Sequence, residues 1–568
     1  MQTKTTRDLS IVIAGEAGQG IQSIEKMLVL TLKRHGYHVC AMSEYMSRIR
    51  GGTNSTTIRV SDKPRGAMTS RIDLFLPLHH SAMAHCKKRL TEKTIIIGDK
   101  EKLSVGNAWE IMDVKLEDIA YTIGNRMYAN TVAAGVLLGI LEANKKICEE
   151  IIRSAFARKG EEIVAKNIEA FLQGLKIGEK FSYADDITVV PPLKKDTADD
   201  IILNGAEAVG FGALAGGCNF ISSYPMSPST GVLTFLANHG KECGVVVEQA
   251  TDEIGALNMA LGAWYTGARA IVTTAGGGFA LMGESVSLAG MIETPIVLHV
   301  AQRPGPATGL PTRTAQEDLN LVLYAGHGEF PRIIFAPGTL AQAYKLTQKA
   351  FNLADQYQVP VFVLTDQFLI DFLGAVPEEE LPREENVKHI VATESSYQRY
   401  KLTKDGLSPR GVPGNGMGFV RLDSDEHDED GRITESHDMR NQMTEKRLHK
   451  KLRLLQKEII APDLVGKSAY KILVVCWGSN YHVAVEALEC SGRSDISVLH
   501  FSQLFPLHSS AKTYIEKAEK VFVLENNATG QFANLLQRET GVNLKDRILK
   551  YSGEPFFVEE LTRCFKAL

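Results

Sequence analysis

Glu253 has the sequence surroundings of a carboxylate that could exchange a proton. It follows the apolar run 244–247 and begins a helix-like segment rich in glycine and alanine. Closely packed backbone would exclude water from the carboxylate, as proton-transfer chemistry often requires. Alternatively, Glu253 together with Glu248 and Asp252 only stabilises the positive end of the helix dipole. Spacing alone favours this second interpretation.

Three further motifs place polar groups or bare backbone directly after apolar strands. In Ser223–Thr230 two prolines fix the backbone, while the hydroxyls can cap a helix or face a ligand. In Thr273–Phe279 a strand runs into three glycines, which a flat ring system could approach closely. Arg303 ends the predicted strand segment 299–302, at the edge where open α/β sheets bind ligands. A substrate carboxylate is a natural partner for this arginine.

A glycine turn near the beginning of the sequence is a candidate anion site. Gly15, Gly18 and Gly20 are spaced G-x-x-G-x-G, the reverse of the dinucleotide fingerprint, so NAD binding is not predicted. N–H groups ahead of a helix can bind a phosphate, but a turn that only packs strand against helix is equally compatible. Arg48 and Arg50 also suit an anion, although without context a salt-bridged loop is preferred.

The positions of these motifs require strands that end where the motifs begin. Apolar runs alternate with segments of helical spacing, which predicts open α/β sheets, with a mainly parallel sheet in the centre of the chain. The predicted strands are 9–14, 73–78, 94–98, 219–222, 244–247, 270–274, 296–301, 332–335, 361–365, 472–476, 497–501 and 520–524. The predicted fold class is α/β with three open-sheet domains.

The domain boundaries follow from changes in composition. The predicted domains are 1–185, 200–381 and 466–568, with a linker around 181–200 and a connecting insert at 382–465. The insert contains the acidic stretch 423–431, which is not predicted to bind calcium because His437 stands where a ligand glutamate would be. A solvated face or a salt-bridged connection is expected there.

Bulk composition limits the classes of function. The 568 residues carry a net charge of -4, which does not indicate a nucleic-acid or acidic-membrane partner. No apolar run approaches the ~20 residues of a membrane span, and no secretory signal is recognisable, so a cytoplasmic location is expected. The eight cysteines include no C-x-x-C pair, so neither an iron–sulfur cluster nor another metal site is predicted in this chain.

The order of the central motifs gives a resemblance to a known family. SSYPMSPST, DEIGALNMALGA, TTAGGGFALM and HVAQRPGPATGLPT are similar to the pyrimidine-binding domain of 2-oxoacid:ferredoxin oxidoreductases. GEAGQG with RIRGG resembles the family's gamma domain, fused here ahead of the alpha domain. DSDEHDEDGRITE and ENNATGQ resemble alpha subunits of the 2-oxoglutarate type. The resemblance implies a thiamine-diphosphate pyrimidine-binding fold in the central domain and a transketolase C-terminal-like last domain.

The resemblance also implies roles for individual residues. Glu253 matches the glutamate that hydrogen-bonds the aminopyrimidine, and Arg303 matches the arginine that holds the substrate carboxylate. Ser227 replaces the threonine of the family's Y-P-I-T-P motif, and Tyr224 and Thr308 complete the expected substrate site. The expected cofactor contacts are Gly276, Gly277, Gly278, Phe279 and Met282.

Two departures from the family pattern concern the glycine turn and the diphosphate site. Ala275 and Gly277 stand where the family has the serine and proline of S-G-P-G. This chain therefore lacks the hydroxyl of that serine and the backbone rigidity of that proline. The chain also lacks the G-D-G motif that binds magnesium and diphosphate. By resemblance, a beta subunit carries the diphosphate site, Mg²⁺ and a [4Fe–4S] cluster, and two alpha–beta pairs are expected to associate.

The resemblance implies an enzyme that oxidises 2-oxoglutarate to succinyl-CoA, with carbon dioxide released and electrons passed to ferredoxin. The reverse reaction would fix carbon dioxide. Coenzyme A, the co-substrate, or another anion is the expected ligand of the loop residues Gly15, Gly18, Gly20, Arg48 and Arg50. Pyruvate or branched or aryl 2-oxoacids are alternative substrates. A catalytically idle scaffolding paralogue is a further hypothesis, and a self-sufficient thiamine lyase is the least favoured because G-D-G is missing.

Overall fold

The computed structural model describes residues 8–47, 52–103, 109–181, 197 and 199–568. These divide into two compact units. Unit 1 comprises the described residues up to Leu203, with Phe372–Glu378 and Phe557–Glu559. Unit 2 comprises Asn204–Asp371, Glu379–Phe556 and Glu560–Leu568. Among the described residues, no helix has both the length and the apolar character needed to cross a membrane.

The strands of the described residues build three open sheets. In chain order they are β1 (Asp8–Glu16), β2 (His38–Glu44), β3 (Thr53–Ser61), β4 (Leu74–Pro77), β5 (Ile95–Gly98), β6 (Glu110–Asp113), β7 (Ile201–Asn204), β8 (Phe220–Ser223), β9 (Val246–Gln249), β10 (Ala270–Thr274), β11 (Ile296–Gln302), β12 (Ile333–Phe335), β13 (Pro360–Asp366), β14 (Phe372–Val376), β15 (Asp463–Gly466), β16 (Ile472–Trp477), β17 (Ile496–Phe501), β18 (Gln503–Phe505), β19 (Lys520–Glu525) and β20 (Asp546–Leu549).

Helices connect most of these strands. They are α1 (Ile21–Arg34), α2 (Ser81–Cys86), α3 (Lys100–Leu103), α4 (Leu116–Ile123), α5 (Ala129–Ile140), α6 (Lys145–Phe156), α7 (Glu161–Glu179), α8 (Gly205–Ala215), α9 (Thr230–Cys243), α10 (Glu253–Tyr265), α11 (Gly276–Phe279), α12 (Gly283–Met291), α13 (Leu319–Tyr324), α14 (Leu340–Tyr357), α15 (Gln367–Asp371), α16 (His437–Thr444), α17 (Lys451–Leu455), α18 (Asn480–Ser491), α19 (Ser510–Lys517), α20 (Gln531–Thr540) and α21 (Val558–Ala567). The predicted α/β class with three open sheets is confirmed.

The sheet of unit 1 is mixed rather than uniformly parallel. Its order is β6-β5-β4-β1-β3-β2-β14-β7. β1 pairs parallel with β4 but antiparallel with β3, and β3 pairs antiparallel with β2. The sequence did not reveal β2 and β3, because β3 reads TNSTTIRVS and buries polar residues such as Arg59. Arg59 is neutralised by an ion pair with Asp8 of β1.

Unit 2 contains the other two sheets. The larger has the order β18-β12-β13-β11-β10-β8-β9 and is parallel except for the β12–β18 pair. This confirms the predicted mainly parallel sheet, and β10 occupies the predicted range 270–274 residue for residue. The smaller sheet has the order β15-β17-β16-β19-β20, with only β15 antiparallel to its neighbour.

Buried ion pairs attach the segment 382–465 to the larger sheet's helices. Arg410 of this segment and Arg269 both pair with the buried Asp355 of α14. A π-helical turn at Glu445–Lys450 precedes α17 and brings two lysines, five residues apart, onto one face. Their ammonium groups, Lys446 and Lys451, each lie 2.6 Å from the buried Glu293 carboxylate.

The acidic stretch 423–431 makes a salt-bridged connection, which was one of the two expected outcomes. Glu426 pairs with Arg440 at 2.5 Å and with Arg447 at 3.1 Å. Both arginines belong to the helical segment that follows the stretch, so the insert is held by charge pairing both internally and to the larger sheet's layer of helices.

Candidate active site

The candidate catalytic and substrate residues meet at one edge of the larger sheet. Strands β8, β9, β10 and β11 run parallel, so their carboxyl ends share that edge. The segment 224–230 follows β8, Glu253 follows β9, the glycine turn follows β10, and Arg303 follows β11. The topology therefore brings together motifs that are far apart in sequence.

Glu253 is buried at the first position of α10. It is 4% exposed, and its Oε1 has no hydrogen-bond partner among the described residues. The helix is capped by Asp252, whose carboxylate accepts a hydrogen bond from the N–H of Gly255 at 2.7 Å. Asp252 thus caps α10, while the Glu253 side chain is buried in the protein.

The glycine turn after β10 lies directly against the Glu253 carboxyl. A Cβ at Gly278 would lie 2.5 Å from Oε1 of Glu253 and would overlap Oγ1 of Thr274. A Cβ at Gly276 would overlap the carboxyl of Asp318, whereas one at Gly277 would make only an ordinary 3.8 Å contact with the backbone oxygen of Ala307. The three glycines form the short helix α11 rather than an extended loop. Side chains at Gly276 and Gly278 are therefore excluded by two carboxyl groups.

Phe279 and Met282 support this turn from below. Both side chains are fully buried, and the Phe279 ring packs edge-on against Phe362 with 5.5 Å between centroids. In this structure they hold the turn in place from the core side. Their predicted direct contact with a cofactor stays a prediction.

Arg303 and Ser227, two predicted substrate residues, contact each other. Nη1 of Arg303 donates to the backbone oxygen of Ser227 at 2.7 Å. Burial lowers the pKa of the guanidinium, and the neighbouring Asp318 opposes this shift. Tyr224 and Thr308 are exposed on the adjoining loops. The arginine is thus held at the sheet edge by the loop that carries the candidate hydroxyl.

Two polar side chains at this edge, the buried His299 and the partly buried Asp318, were not found from sequence. His299 bridges Thr273 and Thr365 of the neighbouring strands, with ring nitrogens 2.7 and 2.8 Å from their hydroxyls. Burial lowers the pKa of His299 to about 3, so the ring is neutral at physiological pH. Asp318 precedes α13, and its Oδ2 is buried without a partner among the described residues. An acidic residue before a helix is too common a pattern to have indicated this position.

The C-terminal sheet positions the segment that carries Asp318. Oε1 of Gln316 accepts from the side-chain amide of Asn480 at 2.9 Å and from the backbone N–H of Asn526 at 3.1 Å. The amide of Asn527 donates to the backbone oxygen of Gln316 at 3.0 Å. Glu525 in turn accepts from Asn527 at 2.8 Å. The first three residues of the ENNATGQ motif therefore fix the approach to the active-site edge.

Unit 1 has its own cavity, at the carboxyl ends of β1, β4 and β5. It measures about 820 Å³ and includes Gly18 and Gly20 of the glycine turn. Gly18 and Gly20 have positive φ angles, and Gly20 precedes α1 with its Cα against Asn130. Three cationic side chains also line the cavity: Lys102, Arg126 and Lys159.

The other predicted loop residues have different outcomes. Gly15 packs closely on Leu78 and Gln19, and the Gln19 side chain closes the turn by accepting from the N–H of Glu16 at 2.7 Å. Arg48 and Arg50 lie outside the described residues. The glycine turn both packs strand against helix and lines a cavity, so the two interpretations of the motif are compatible.

Family models and a curated relative identify the chain. A model described as "Pyruvate flavodoxin/ferredoxin oxidoreductase, thiamine diP-bdg" matches residues 211–446, and "Pyruvate ferredoxin/flavodoxin oxidoreductase" matches residues 10–177. The 2-oxoacid:ferredoxin oxidoreductase subunit alpha of Sulfolobus sp is 32% identical over 97% of this chain and 96% of its own length. The chain belongs to the 2-oxoacid:ferredoxin oxidoreductase alpha subunits. The resemblance predicted from the motifs is confirmed.

Further relatives of this 2-oxoacid:ferredoxin oxidoreductase subunit are named for 2-oxoglutarate. The 2-oxoglutarate oxidoreductase subunit KorA of Mycobacterium tuberculosis is 26% identical, covering 98% of this chain and 91% of its own. The 2-oxoglutarate:ferredoxin oxidoreductase of Magnetococcus marinus, solved with 2-oxoglutarate, coenzyme A and succinyl-CoA bound, superposes with a TM-score of 0.91 at 29% identity. That match covers 99% of both chains.

The sheet edge could accommodate a flat heterocycle, and it lies within the residues 211–446 that match the family model described as binding thiamine diphosphate. The unpaired Oε1 of Glu253 is a buried acceptor that a ring N–H could satisfy. The backbone of the Gly276–Phe279 turn beside it bears no side chain at its first three positions, so a flat ring could approach closely. This chain's carboxylate and bare backbone are thus suited to hold such a ring.

Gly278→Ala tests the close approach of the turn to Glu253. The new methyl group would have to displace the Glu253 carboxyl or Thr274. We expect roughly a hundredfold loss of 2-oxoacid oxidation, because a shift of about 1 Å in a catalytic group can cost that much. Gly283→Ala is the matched control, since nothing lies within 4 Å of its Cβ position. Equal activity of both variants would contradict the proposed constraint.

Proposed function

We propose that this chain is the alpha subunit of a thiamine-diphosphate-dependent 2-oxoglutarate:ferredoxin oxidoreductase. The enzyme would decarboxylate 2-oxoglutarate oxidatively to succinyl-CoA and pass electrons to ferredoxin, or fix carbon dioxide in reverse. The observation that carries the proposal is the buried carboxyl of Glu253, whose Oε1 has no partner among the described residues, at the same sheet edge as Arg303. We expect the enzyme to work in the cytoplasm.

Each residue at this edge has a task that its surroundings support. Thiamine diphosphate, when bound, supplies the carbon nucleophile and the electron sink for decarboxylation. Oε1 of Glu253 would exchange a proton with the pyrimidine ring, in a site from which water is excluded. Arg303 would hold the carboxylate common to all 2-oxoacids, and the Ser227 hydroxyl would lie near the substrate because Arg303 is anchored to its backbone.

The preference for 2-oxoglutarate rests on the relatives. The Magnetococcus marinus and Mycobacterium tuberculosis proteins named above are 2-oxoglutarate enzymes, and each aligns with nearly the whole chain. The Sulfolobus relative carries the broader name 2-oxoacid, so oxidation of pyruvate or of branched or aryl 2-oxoacids is the second candidate function. Arg303 would bind the 2-oxoacid carboxylate in either case, because these substrates differ only at the end remote from that group.

An exposed apolar surface beside Glu253 supports a partner subunit there. Ile254 and Met259 on α10 are 48% and 42% exposed, and Leu281, on the turn that contacts α10, is 53% exposed. An exposed apolar surface of this kind is typical of a protein–protein interface, and this one lies on the helix that also carries Glu253. We propose that a beta subunit covers it and holds the diphosphate, and that two such alpha–beta pairs associate.

The cysteines support placing the iron–sulfur cluster in the beta subunit. Burial raises the pKa of Cys86, Cys148 and Cys218 to about 12, so these thiols are protonated at neutral pH. Iron–sulfur clusters need clustered cysteine ligands. Within the part of the chain that the structure describes, no group of three or more His, Cys, Asp or Glu side chains is placed to hold a metal ion. We accordingly propose that Mg²⁺ and the [4Fe–4S] cluster, from which ferredoxin takes its electrons, belong to the partner.

Glu253→Gln tests the proposed function in the assembled alpha–beta enzyme. The amide keeps the shape of the side chain but cannot carry the proton, so 2-oxoglutarate- and coenzyme-A-dependent viologen reduction should fall about 10²- to 10⁴-fold. Glu242→Gln, an exposed acid at the end of α9, is the control and should retain wild-type activity. No activity of the cluster-loaded wild type with any 2-oxoacid would favour the idle paralogue.

We further propose that the cavity of unit 1 binds coenzyme A. Its volume of about 820 Å³ lies in the range of cofactor sites, and the N–H groups at the beginning of α1 border it. Lys102, Arg126 and Lys159 could pair with phosphate groups. Lys102 and Arg126 also pair with Glu117 of α4, so Lys159 is the cation with the fewest competing charges.

Lys159→Ala should raise the KM for coenzyme A roughly fivefold with little change in kcat, since an exposed charge pair contributes about 1 kcal/mol. Lys176→Ala, an exposed lysine on α7 outside the cavity lining, is the matched control. The readout is the coenzyme A dependence of 2-oxoacid oxidation. An unchanged KM in the first variant, or the same increase in both, would place the coenzyme A phosphates elsewhere.

A further inference from the structure

The carboxyl of Asp318 has no role in the function proposed above, yet it lies at the same edge as Glu253 and Arg303. Its Oδ2 is buried and has no partner among the described residues. Its carboxyl fills the space where Gly276 would otherwise carry a Cβ. The α11 turn thus has an unpaired carboxyl on each side, Glu253 against Gly278 and Asp318 against Gly276.

A direct link connects Asp318 to the strand end that carries Arg303. The N–H of Asp318 donates to Oε1 of Gln302 at 3.0 Å, and Gln302 immediately precedes Arg303. The side-chain amide of Gln302 donates to the backbone oxygen of Thr365 at 3.1 Å. Gln302 therefore fixes both the backbone of Asp318 and the end of β11.

A second acid faces the same loop. Oε2 of Glu317 accepts from the N–H of Gly305, two residues after Arg303, at 2.9 Å. Among the described residues, two charges act on Asp318: Glu317 on its own segment and Arg303 from β11. A further titratable group, Glu253, lies across the α11 turn. Whatever the charge of Glu253, protonation of Asp318 removes one negative charge from this set: Arg303, Glu317 and an ionised Asp318 sum to -1, and to zero once Asp318 is protonated.

We propose that Asp318 sets the charge of the Arg303 site, so that the substrate carboxylate binds best while Asp318 carries a proton. Asp318 is a positioning residue in this proposal, because it acts through Arg303 and rests on the substrate role proposed for that arginine. An anionic substrate entering a site of net negative charge is repelled, while the protonated acid leaves the guanidinium free to pair with the substrate.

Asp318 gains or loses its proton near neutral pH, where the proposed control of substrate binding would operate. Burial, and then the charge of Glu317, raise the pKa of Asp318 to about 7, against the opposing effect of Arg303. Asp318 therefore loses its proton between mildly acidic and mildly alkaline pH. Binding of the substrate and retention of this proton favour each other, so substrate affinity should decrease as pH rises.

Asp318→Asn in the alpha–beta enzyme tests the proposal through the pH dependence of the KM. In the wild type, the KM for the 2-oxoacid should rise roughly three- to tenfold from pH 6.5 to pH 8, as an acid with this pKa ionises. In Asp318→Asn that rise should disappear, because the amide is uncharged at every pH. The KM for coenzyme A is the internal reference and should follow the same pH profile in both enzymes.

Glu317→Gln is the matched control variant. Its amide oxygen can still accept from Gly305, but the repulsion on Asp318 is removed. We expect the KM to keep its rise with pH and the midpoint of that rise to move to lower pH. This shift tests the proposal independently if Asp318→Asn does not assemble with its partner.

The outcomes separate this inference from the proposed function. A wild-type enzyme that oxidises no 2-oxoacid refutes the proposed function and the inference with it. An active enzyme whose KM rises equally with pH in the wild type and in Asp318→Asn refutes the inference alone. A wild-type KM that is constant from pH 6.5 to pH 8 also refutes the inference alone. So does a KM whose rise with pH is abolished by Glu317→Gln but not by Asp318→Asn.

Discussion

The backbone of the Gly276–Phe279 turn approaches the carboxyl groups of Glu253 and Asp318 so closely that side chains are excluded at both contact points. Glu253 lies against Gly278 and Asp318 against Gly276, and one oxygen of each carboxyl is unpaired among the described residues. Buried acceptors without partners are costly unless something else completes them. In the account proposed above, the pyrimidine ring of the cofactor pairs with Glu253, and a bound proton neutralises Asp318.

The rest of unit 2 keeps this turn and its neighbours in place. Below the edge, the neutral His299 joins three parallel strands through two hydroxyls. The ENNATGQ segment fixes Gln316, and through it the chain that leads to Asp318. The ion pairs of Asp355 and Glu293 attach the segment 382–465 to the helices of the same sheet. Removing one partner of such a buried pair is typically strongly destabilising.

The sequence predicted the mainly parallel sheet and placed Glu253 and Arg303 after two of its strands, because apolar runs separated by segments of helical spacing mark the strands. The family resemblance implied that both residues belong to one site. The sequence did not predict β2 and β3, whose polar residues are buried by pairing with other strands, such as Arg59 with Asp8. Nor did it single out Asp318, since its burial arises from contacts with Gly276 and Gln302, which are distant in sequence. Nor could the sequence show that Asp252 caps the helix while Glu253 is buried, because either acid is a suitable residue at the beginning of a helix.

The central claim is that the unpaired Oε1 of Glu253 is completed by the pyrimidine of thiamine diphosphate. The most direct test is an experimental structure of the assembled alpha–beta enzyme with the cofactor bound. The account predicts a ring nitrogen about 2.6–3.2 Å from Oε1, at hydrogen-bond distance, with the ring against the Gly276–Phe279 turn. A cofactor bound with its pyrimidine elsewhere, and with Glu253 still unpaired or bound to another protein group, would contradict it.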